Sequence, residues 1–434
     1  MPPTPPTPDR RVLAIVGGVI VLALIAAGLV AWTGGDNRGL AKPKPATTTK
    51  PDRSASSSSS DASTDSTDST DSTDSSSSTT STDLEQVVKE IEAFVEKERG
   101  LTFKGDVPVE LASDTQFTDQ LFAGFEESVP AIREEEEVLK ALGLVTTDRD
   151  LVADQRALLT GGVLGFYDPK DNQLVVRGDK VTPFVRQVLA HELTHALDDQ
   201  WFNLDRPELD TADDETGTAF VTLAEGDARS VENAYVDKVP TPRERIEATA
   251  EEQATALPFM TQIFALPPVI IALLQFPYDA GSRFVGDLLD AGGNTRLNDA
   301  FAVPPTTTDQ VLASDKYFNG EGAVAVADPA PSNALPASNR GALGVEVLNQ
   351  LLEQGLTFDA TQVDPALDGW GGDRYVTWTD GARTCITDAV VGDDATATGR
   401  MLQRFQDWSA SPGVTAQVTA GADPGSPFTI TSCT

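Results

Sequence analysis

An α+β fold is predicted, with an N-terminal lobe that combines a small sheet with one helix rich in polar residues, and with a mostly α-helical C-terminal lobe. Three observations predict it. Strand patterns and turn residues lie between residues 107 and 177, and helical periodicity dominates the rest of the folded chain. In addition, the helix that begins near residue 183 directly follows a predicted hairpin. We place the lobe boundaries at residues 83–205 and 206–434.

The first 82 residues divide into three predicted segments. Residues 1–11 form a Pro-rich stub, and residues 12–32 form an uncharged apolar run. As a helix this run could span about 30 Å of hydrocarbon, and it is longer than the apolar region of most cleaved signal peptides, which are the alternative. Residues 33–82 are mostly Ser, Thr, Asp and Pro and cannot bury apolar surface, so a disordered stalk is predicted.

The orientation of such an anchor is not settled by charge, because basic residues lie on both sides of the run. The two cysteines, Cys385 and Cys433, would most simply form one disulfide in a secreted domain. We therefore expect a cytoplasmic N-terminus, a single membrane-spanning helix and an extracytoplasmic folded domain.

The charge balance excludes one class of partner. With 32 basic against 67 acidic residues, the formal net charge is −35. Nucleic-acid binding requires a basic surface, so no nucleic-acid partner is expected.

The predicted elements of the first lobe follow from local patterns. Apolar residues at helical spacing predict a first helix over about residues 83–95, and alternation predicts a strand at 107–111. A longer helical region starts at Asp114 and stops at Gly143. Residues 163–167 and 173–176 flank the turn residues 168–172 and predict the hairpin.

The helix after the hairpin carries the only two histidines of the chain. Thr182 is the predicted N-cap and Pro183 the first helical residue. His191 and His195 lie one turn apart, so both imidazoles can bind a single metal ion. Glu192 is rotated about 100° from His191, where it can reach a water without acting as a ligand. Catalytic Zn²⁺ has three protein ligands and one open position for water. Two histidines one turn apart, with a carboxylate next to them, supply two such ligands and a base, so this pattern predicts a zinc site.

The third ligand must be a carboxylate or a cysteine, because no other histidine exists. Glu225, inside a second helical pattern over about residues 215–236, is the best candidate. Glu215, Asp227 and Glu232 are the alternatives.

Two segments resemble known families. Residues 191–197 closely resemble the active-site helix of thermolysin-like peptidases, and Glu225-Gly226-x-Ala228 resembles the third-ligand helix of gluzincins, including the zinc aminopeptidases. The resemblance implies a zincin-like fold in which His191, His195 and Glu225 bind Zn²⁺ and Glu192 is the general base. It also implies that an edge strand beside the helix pairs with an extended substrate, for which the hairpin is the candidate. Arg229 departs from the pattern, since thermolysin-like proteins have an aspartate there.

A second resemblance covers the following region. Residues 257–278 are apolar but interrupted by prolines, which predicts a buried wall of the second lobe and no membrane span. A surface that dips into a membrane or captures substrate is the alternative. Phe276-Pro277-Tyr278 and Lys316-Tyr317 resemble motifs of uncharacterised, membrane-anchored bacterial HExxH proteins. Here Asp309 replaces the Glu of that group, and Ala313-Ser314 replace its His-Pro.

The group that would stabilise an oxyanion is less well indicated. Arg374 and Tyr375 follow the glycine-rich stretch 369–372 and precede a predicted strand at 375–378. They are the candidates for donating a hydrogen bond to the oxyanion that forms when water attacks the substrate carbonyl, with Tyr235 as an alternative. The alternative is purely structural: these residues would form a tight turn that leads into the strand and would have no role in catalysis.

The predicted function is that of a membrane-anchored, extracytoplasmic zinc metallopeptidase that hydrolyses a peptide or protein substrate. Asp227, Asp198 and Asp199 are candidates for orienting the imidazoles. Two alternatives remain. One is a non-catalytic, stalked surface protein for binding or scaffolding, with a structural or relic zinc site. The other is a zinc hydrolase that acts on cell-wall crosslinks or another amide.

Overall fold

The computed structural model describes residues 19–20, 81–210, 215–331, 335–353, 362–381 and 383–434. The fold is mixed α+β, as predicted, with helices dominating and two separate sheets. The helices are α1 Ser81–Arg99, α2 Asp114–Leu121, α3 Phe125–Leu142, α4 Leu151–Gly162, α5 Pro183–Phe202, α6 Pro207–Asp210, α7 Thr216–Lys238, α8 Pro242–Ile263, α9 Pro268–Ala302, α10 Thr308–Leu312, α11 Ser314–Asn319, α12 Gly344–Leu352 and α13 Ala395–Ser409. The strands are β1 Val19–Ile20, β2 Val109–Ala112, β3 Gly165–Asp168, β4 Gln173–Arg177, β5 Asn339–Gly341, β6 Trp370–Asp380, β7 Arg383–Gly392, β8 Gln417–Thr419 and β9 Phe428–Cys433.

The first sheet has the strand order β1-β3-β4-β2. β3 and β4 form the predicted antiparallel hairpin, and β2 runs parallel to β4. Asn172 in the connecting turn has a positive φ of 48°, a conformation that asparagine tolerates better than most residues. Tyr167 and Val176 of this sheet share a buried core with Leu189 and Leu193 of α5. The hairpin therefore lies directly against the histidine-bearing helix.

The helical region predicted from Asp114 to Gly143 is two helices. α2 ends at Leu121, and α3 begins at Phe125 after Gly124. Gly143 ends α3 with φ 77°, the left-handed conformation typical of glycine after a helix. The end of this region was therefore correctly predicted, whereas the internal break was not.

The C-terminal region contains more strand than predicted. Its second sheet has the antiparallel order β5-β6-β7-β9-β8, and α13 packs against it. Only part of β6, at residues 375–378, was predicted from the sequence. The disulfide between Cys385 and Cys433 is confirmed, and it joins directly paired positions of β7 and β9.

The N-terminal predictions fall mostly outside the described residues. This applies to the stub 1–11 and to the stalk 33–82, apart from Ser81 and Thr82, which begin α1. Within residues 12–32 the structure describes only Val19–Ile20, which pair as a strand with β3. No described helix has the combination of length and apolar composition needed to cross a bilayer. This finding contradicts the predicted single-pass membrane localisation.

A buried carboxyl group at the start of α7 predicts a pH-dependent stability. Glu215 accepts a hydrogen bond from the hydroxyl of Thr308, yet burial raises its pKa from 4.5 to about 8. The folded state therefore holds a proton that the unfolded state releases, so stability should fall as pH rises from about 4.5 to 8. Glu215→Gln should reduce this slope by up to about 1.4 kcal/mol per pH unit.

Urea unfolding at pH 5 and pH 8 measures this difference. A chelator in all samples removes any contribution from bound metal, and Glu247→Gln, on the surface of α8, is the matched control. An unchanged slope in Glu215→Gln would contradict the assignment.

Candidate metal centre

The histidine-bearing helix α5 starts as its sequence predicts. The hydroxyl oxygen of Thr182 accepts a hydrogen bond from the backbone N–H of Val185 at 3.1 Å, and Pro183 is the first residue of the helix. From residue 187 to residue 198 every side chain is buried. The histidines therefore lie inside the protein, where polar groups need partners.

α7 packs against α5 and carries the third carboxylate. Glu225 faces the two histidines, while the next residue, Gly226, lies against the backbone of Gly281 in α9. A Cβ at Gly226 would overlap that backbone, so the glycine permits the close approach of α7 and α9. Glu225 is thus held on a helix that is packed on both sides.

His191, His195 and Glu225 converge on one point. The Nε2 atom of His191 lies 3.2 Å from an Oε atom of Glu225, and the Nε2 atom of His195 lies 3.7 Å from the same oxygen. One ligand atom from each residue falls within 4.8 Å of the other two. Among the described residues this is the only such group of three or more. The predicted ligands are therefore brought together, and the alternatives Glu215 and Asp227 are not part of the group.

The charges at the site suit a cation. Burial opposes ionisation of Glu225, but the hydrogen bond from His191 and the proximity of His195 lower its pKa to about 2. Burial also favours neutral His191, but Glu225 and Glu232 raise its pKa to about 9. A carboxylate that stays charged at neutral pH is a metal ligand without further change, and a metal would displace the proton of His191.

These residues fit zinc by their chemistry and spacing. Two ligand atoms bound to one tetrahedral zinc ion are separated by about 3.4 Å. The separations of 3.2 Å and 3.7 Å agree with that value. Within the described part of the chain, neither ring nitrogen of buried His195 has a hydrogen-bond partner. A bound cation would satisfy the nitrogen that faces Glu225.

Glu192 is the buried carboxyl group beside this cluster. Burial raises its pKa to about 8, and the charge of Glu225 adds to the rise. Neither of its oxygens makes a hydrogen bond of ordinary geometry to the described residues, although the backbone N–H of Tyr167 is close enough to favour its charged form. Because Glu192 is not one of the three converging groups, its carboxylate is available for proton transfer.

Comparisons with protein-family models, with curated proteins and with solved structures found no match to this chain.

The second nitrogen of His191 is held by Glu232, a residue that the sequence analysis considered only as a ligand. The Nδ1 atom of His191 lies 3.1 Å from an oxygen of Glu232, which also accepts from Arg229 at 2.9 Å. With its proton on Nδ1, the ring presents Nε2 to the metal position. Glu232 lies seven residues after Glu225, two turns along the same helix face, and this spacing could have indicated its role.

Glu232→Gln should weaken zinc binding by about 10- to 100-fold, because the amide fixes the ring of His191 less strongly than a carboxylate. Competition with a chromophoric chelator measures the affinity. Glu252→Gln, at a half-buried carboxyl group of α8 that also lies near Arg229, is the control and should bind zinc like the wild type. Equal affinity in Glu232→Gln and the wild type would show that Glu232 does not orient the ring.

Asp198 and Asp227, two predicted partners of the imidazoles, instead bind Arg99. The guanidinium of Arg99 lies 2.8 Å from Asp198 of α5 and 2.6 Å from Asp227 of α7. All three side chains are almost completely buried. Arg99 of α1 therefore ties together the two helices that carry the ligands. Asp199, the third predicted partner, accepts from the hydroxyl of Tyr167 at 2.8 Å.

The predicted oxyanion donors lie elsewhere in the fold. Arg374 and Tyr375 are both in β6, where Arg374 pairs with Asp328 at 3.0 Å and Tyr375 belongs to the core of the second sheet. The glycine-rich stretch before them enters a long strand, which matches the structural alternative for these residues. Tyr235, the other candidate, packs edge-on against Phe94.

Tyr278 of α9 lies next to the cluster of His191, His195 and Glu225. It was not predicted from the sequence as a residue of the site. Its ring centroid lies 6.5 Å from that of His191. Arg229 lies over the same ring, 5.4 Å from its centroid. Tyr278 belongs to the Phe-Pro-Tyr motif, which was the available sequence signal.

Proposed function

We propose that this protein is a zinc-dependent metallopeptidase, in which His191, His195 and Glu225 hold the metal. The observation that carries the proposal is the convergence of these three side chains, from two adjacent helices, on one point. A buried, proton-accepting carboxylate next to that point adds the second component of a hydrolase site. The zincin-like fold and the gluzincin ligand set implied by the sequence resemblance are part of the same proposal.

When bound, zinc supplies polarisation of the substrate carbonyl and easier ionisation of water. The protein supplies the rest. Glu192 takes a proton from the attacking water and passes it to the leaving amine. Burial raises its pKa, which favours the protonated form that must exist between the two steps. The positive charge of a bound metal would lower that pKa, so the carboxylate is free to accept the proton at the start.

Tyr278 and Arg229 are the proposed stabilisers of the oxyanion. Their positions beside His191 place a phenol and a cation near the metal ligands, whereas Arg374 and Tyr375 lie in the second sheet. A donor at this point would lower the energy of the charge that develops on the carbonyl oxygen.

The substrate backbone is proposed to pair with β3. This strand lies against α5, and Gly165 at its start contacts Val188 and Glu192 of that helix. β1 occupies the outer edge of β3, so an extended substrate would take the place of this two-residue strand.

A structural zinc site is the second candidate function, favoured by the complete burial of His191, Glu192 and His195. Structural zinc sites usually have four protein ligands, whereas the described residues provide three.

Cleavage of a peptide library by the full-length protein separates the two functions. Hydrolysis should be lost on chelation and return with stoichiometric zinc. A zinc-loaded protein that cleaves no peptide would favour the structural role.

A further inference from the structure

The candidate site is closed to solvent. His191, Glu192 and His195 are fully buried, and Glu225 is 3% exposed. A peptide must bring its scissile carbonyl to this point, so an element that covers the site has to move. This step rests on the proposed function, because only a substrate requires access.

α8 lies over the face of α5 that carries Glu192. Ala248 and Ala256 of α8 form a small buried cluster with Phe184 and Val188 of α5. Val188 lies one turn before Glu192, so the two side chains share a face of the helix. A Cβ placed on Gly165 of β3 would meet both, 2.7 Å from Val188 and 3.5 Å from Glu192. α8 therefore covers the side of α5 where β3 and Glu192 meet.

A carboxyl group of α8 lies near Glu232 of α7. Burial, together with the charge of Glu232 in α7, raises the pKa of Glu252 in α8 to about 7. Glu232 is the residue bonded to His191. At its other end α8 contacts α4, where Phe259 fills the space beside Gly161. The helix thus packs on α5 and α4, and one of its carboxyl groups lies within electrostatic range of Glu232 in α7.

The attachment of α8 is weak compared with that of the ligand-bearing helices. Only Ala248, Ala256 and Ile263 of its 22 residues are buried, and two of these side chains are single methyl groups. Ile246 and Leu257 are more than 70% exposed. At the N-cap of α5, the hydroxyl of Thr182 donates a hydrogen bond to Glu251 of α8 at 2.8 Å. By contrast, Arg99 locks α5 to α7 with two buried ion pairs.

Prolines flank α8 at both ends. Pro240 precedes it, and residues 264–267, which end in Pro267, separate it from α9. A cavity of about 170 Å³ lies at its C-terminal end, between α4 and residues 262–266. Loosely packed helices of this kind open at low free-energy cost relative to the core.

We propose that α8 is a displaceable cover, which closes the metal site in the structure described and must swing away for a peptide to enter. The ligand-bearing helices α5 and α7 stay together during this movement, since Arg99 holds them. Access to the site is then regulated by the attachment of one helix.

A disulfide between Thr182→Cys and Glu251→Cys would lock the cover, because these side chains already touch. In the oxidised full-length variant, chelator-driven zinc release and peptide cleavage should each fall at least 10-fold, and dithiothreitol should restore both. The wild type and the two single variants, treated identically, control for the native disulfide and for loss of the Thr182 cap. Unchanged zinc release in the locked protein would overturn the proposal.

A second variant tests the cover without a cross-link. Ala248→Glu places a charge in the contact with Phe184 and should speed zinc release at least 10-fold, whereas Ala254→Glu on the exposed face of α8 should not. Equal release from the two variants would contradict the proposal.

Hydrogen exchange gives a result that is independent of zinc and of activity. The backbone amides of α8 should exchange faster than those of α5 and α7. Equally slow exchange in the three helices would contradict the proposal that α8 moves away from the site. If the cover opens and zinc binds but no peptide is cleaved, the peptidase function fails while the cover stands.

Discussion

Glu192→Gln is expected to lower peptide hydrolysis by about 10²- to 10⁴-fold while one zinc ion remains bound per chain. The amide has nearly the shape of the carboxylate but cannot accept a proton from water. Since Glu192 is outside the group of converging ligands, the metal should bind as before. Burial of a neutral amide in place of a carboxylate should also leave the fold intact, as the residue has no other described hydrogen-bond partner that would be lost.

Steady-state cleavage of a fluorogenic peptide, together with metal analysis of the same samples, measures this prediction. Thr194→Val is a matched control on the same buried helix, because the hydroxyl of Thr194 donates only to the carbonyl of Ala190. Cleavage by Glu192→Gln at the rate of the wild type would exclude Glu192 as the general base. The site would then belong to the structural class.

Arg99→Met is expected to destabilise the protein by about 3–5 kcal/mol, the largest effect on stability that we predict. Arg99 is 1% exposed and pairs with two carboxylates that are equally buried. Its removal leaves the two buried carboxyl groups of Asp198 and Asp227 next to each other between α5 and α7 without a cation. Zinc affinity should also fall, because Asp198 and Asp227 follow His195 and Glu225 by three and two residues.

Chemical denaturation with and without zinc measures both effects. A triple variant, Arg99→Met with Asp198→Asn and Asp227→Asn, removes all three charges and should recover most of the lost stability. If the triple variant is as unstable as Arg99→Met, the effect comes from packing and not from unpaired charge. A change below about 1 kcal/mol in the single variant would contradict the buried ion-pair network.

Elements fixed by local chemistry could be predicted from the sequence. The hairpin follows from its turn residues, and the start of α5 follows from Thr182 and Pro183. The cluster of His191, His195 and Glu225, which could hold a metal ion, follows from two histidines one turn apart and from the search for a third ligand. Each of these rests on residues close in sequence, or on the scarcity of suitable ligands.

Features that depend on tertiary contacts were not predictable. Arg99 is distant in sequence from both of its partners, and nothing local shows that α1 places it between them. The role of Tyr278 depends on the packing of α9 against α7 through Gly226 and Gly281. Arg374 and Tyr375 were attractive by residue type, but β6 pairs with β5 and β7 and carries them into the second sheet.

The extent of the second sheet was missed for a related reason. Its strands pair over long sequence separations. For example, β7 pairs with β9, and helix α13 lies between these two strands in the chain. Apolar runs of this length fit a buried helix or a strand about equally well. The disulfide, which depends only on there being two cysteines, was predicted without knowledge of that pairing.

Zinc stoichiometry of the full-length protein tests the central claim most directly. Metal analysis after dialysis should find one zinc ion per chain in the wild type and in Glu215→Gln, which alters the far end of α7. His195→Ala and Glu225→Ala should each lose the ion, with affinity at least 100-fold lower. Retention of one equivalent of zinc in both ligand variants, or its absence from the wild type, would contradict a metal centre at His191, His195 and Glu225.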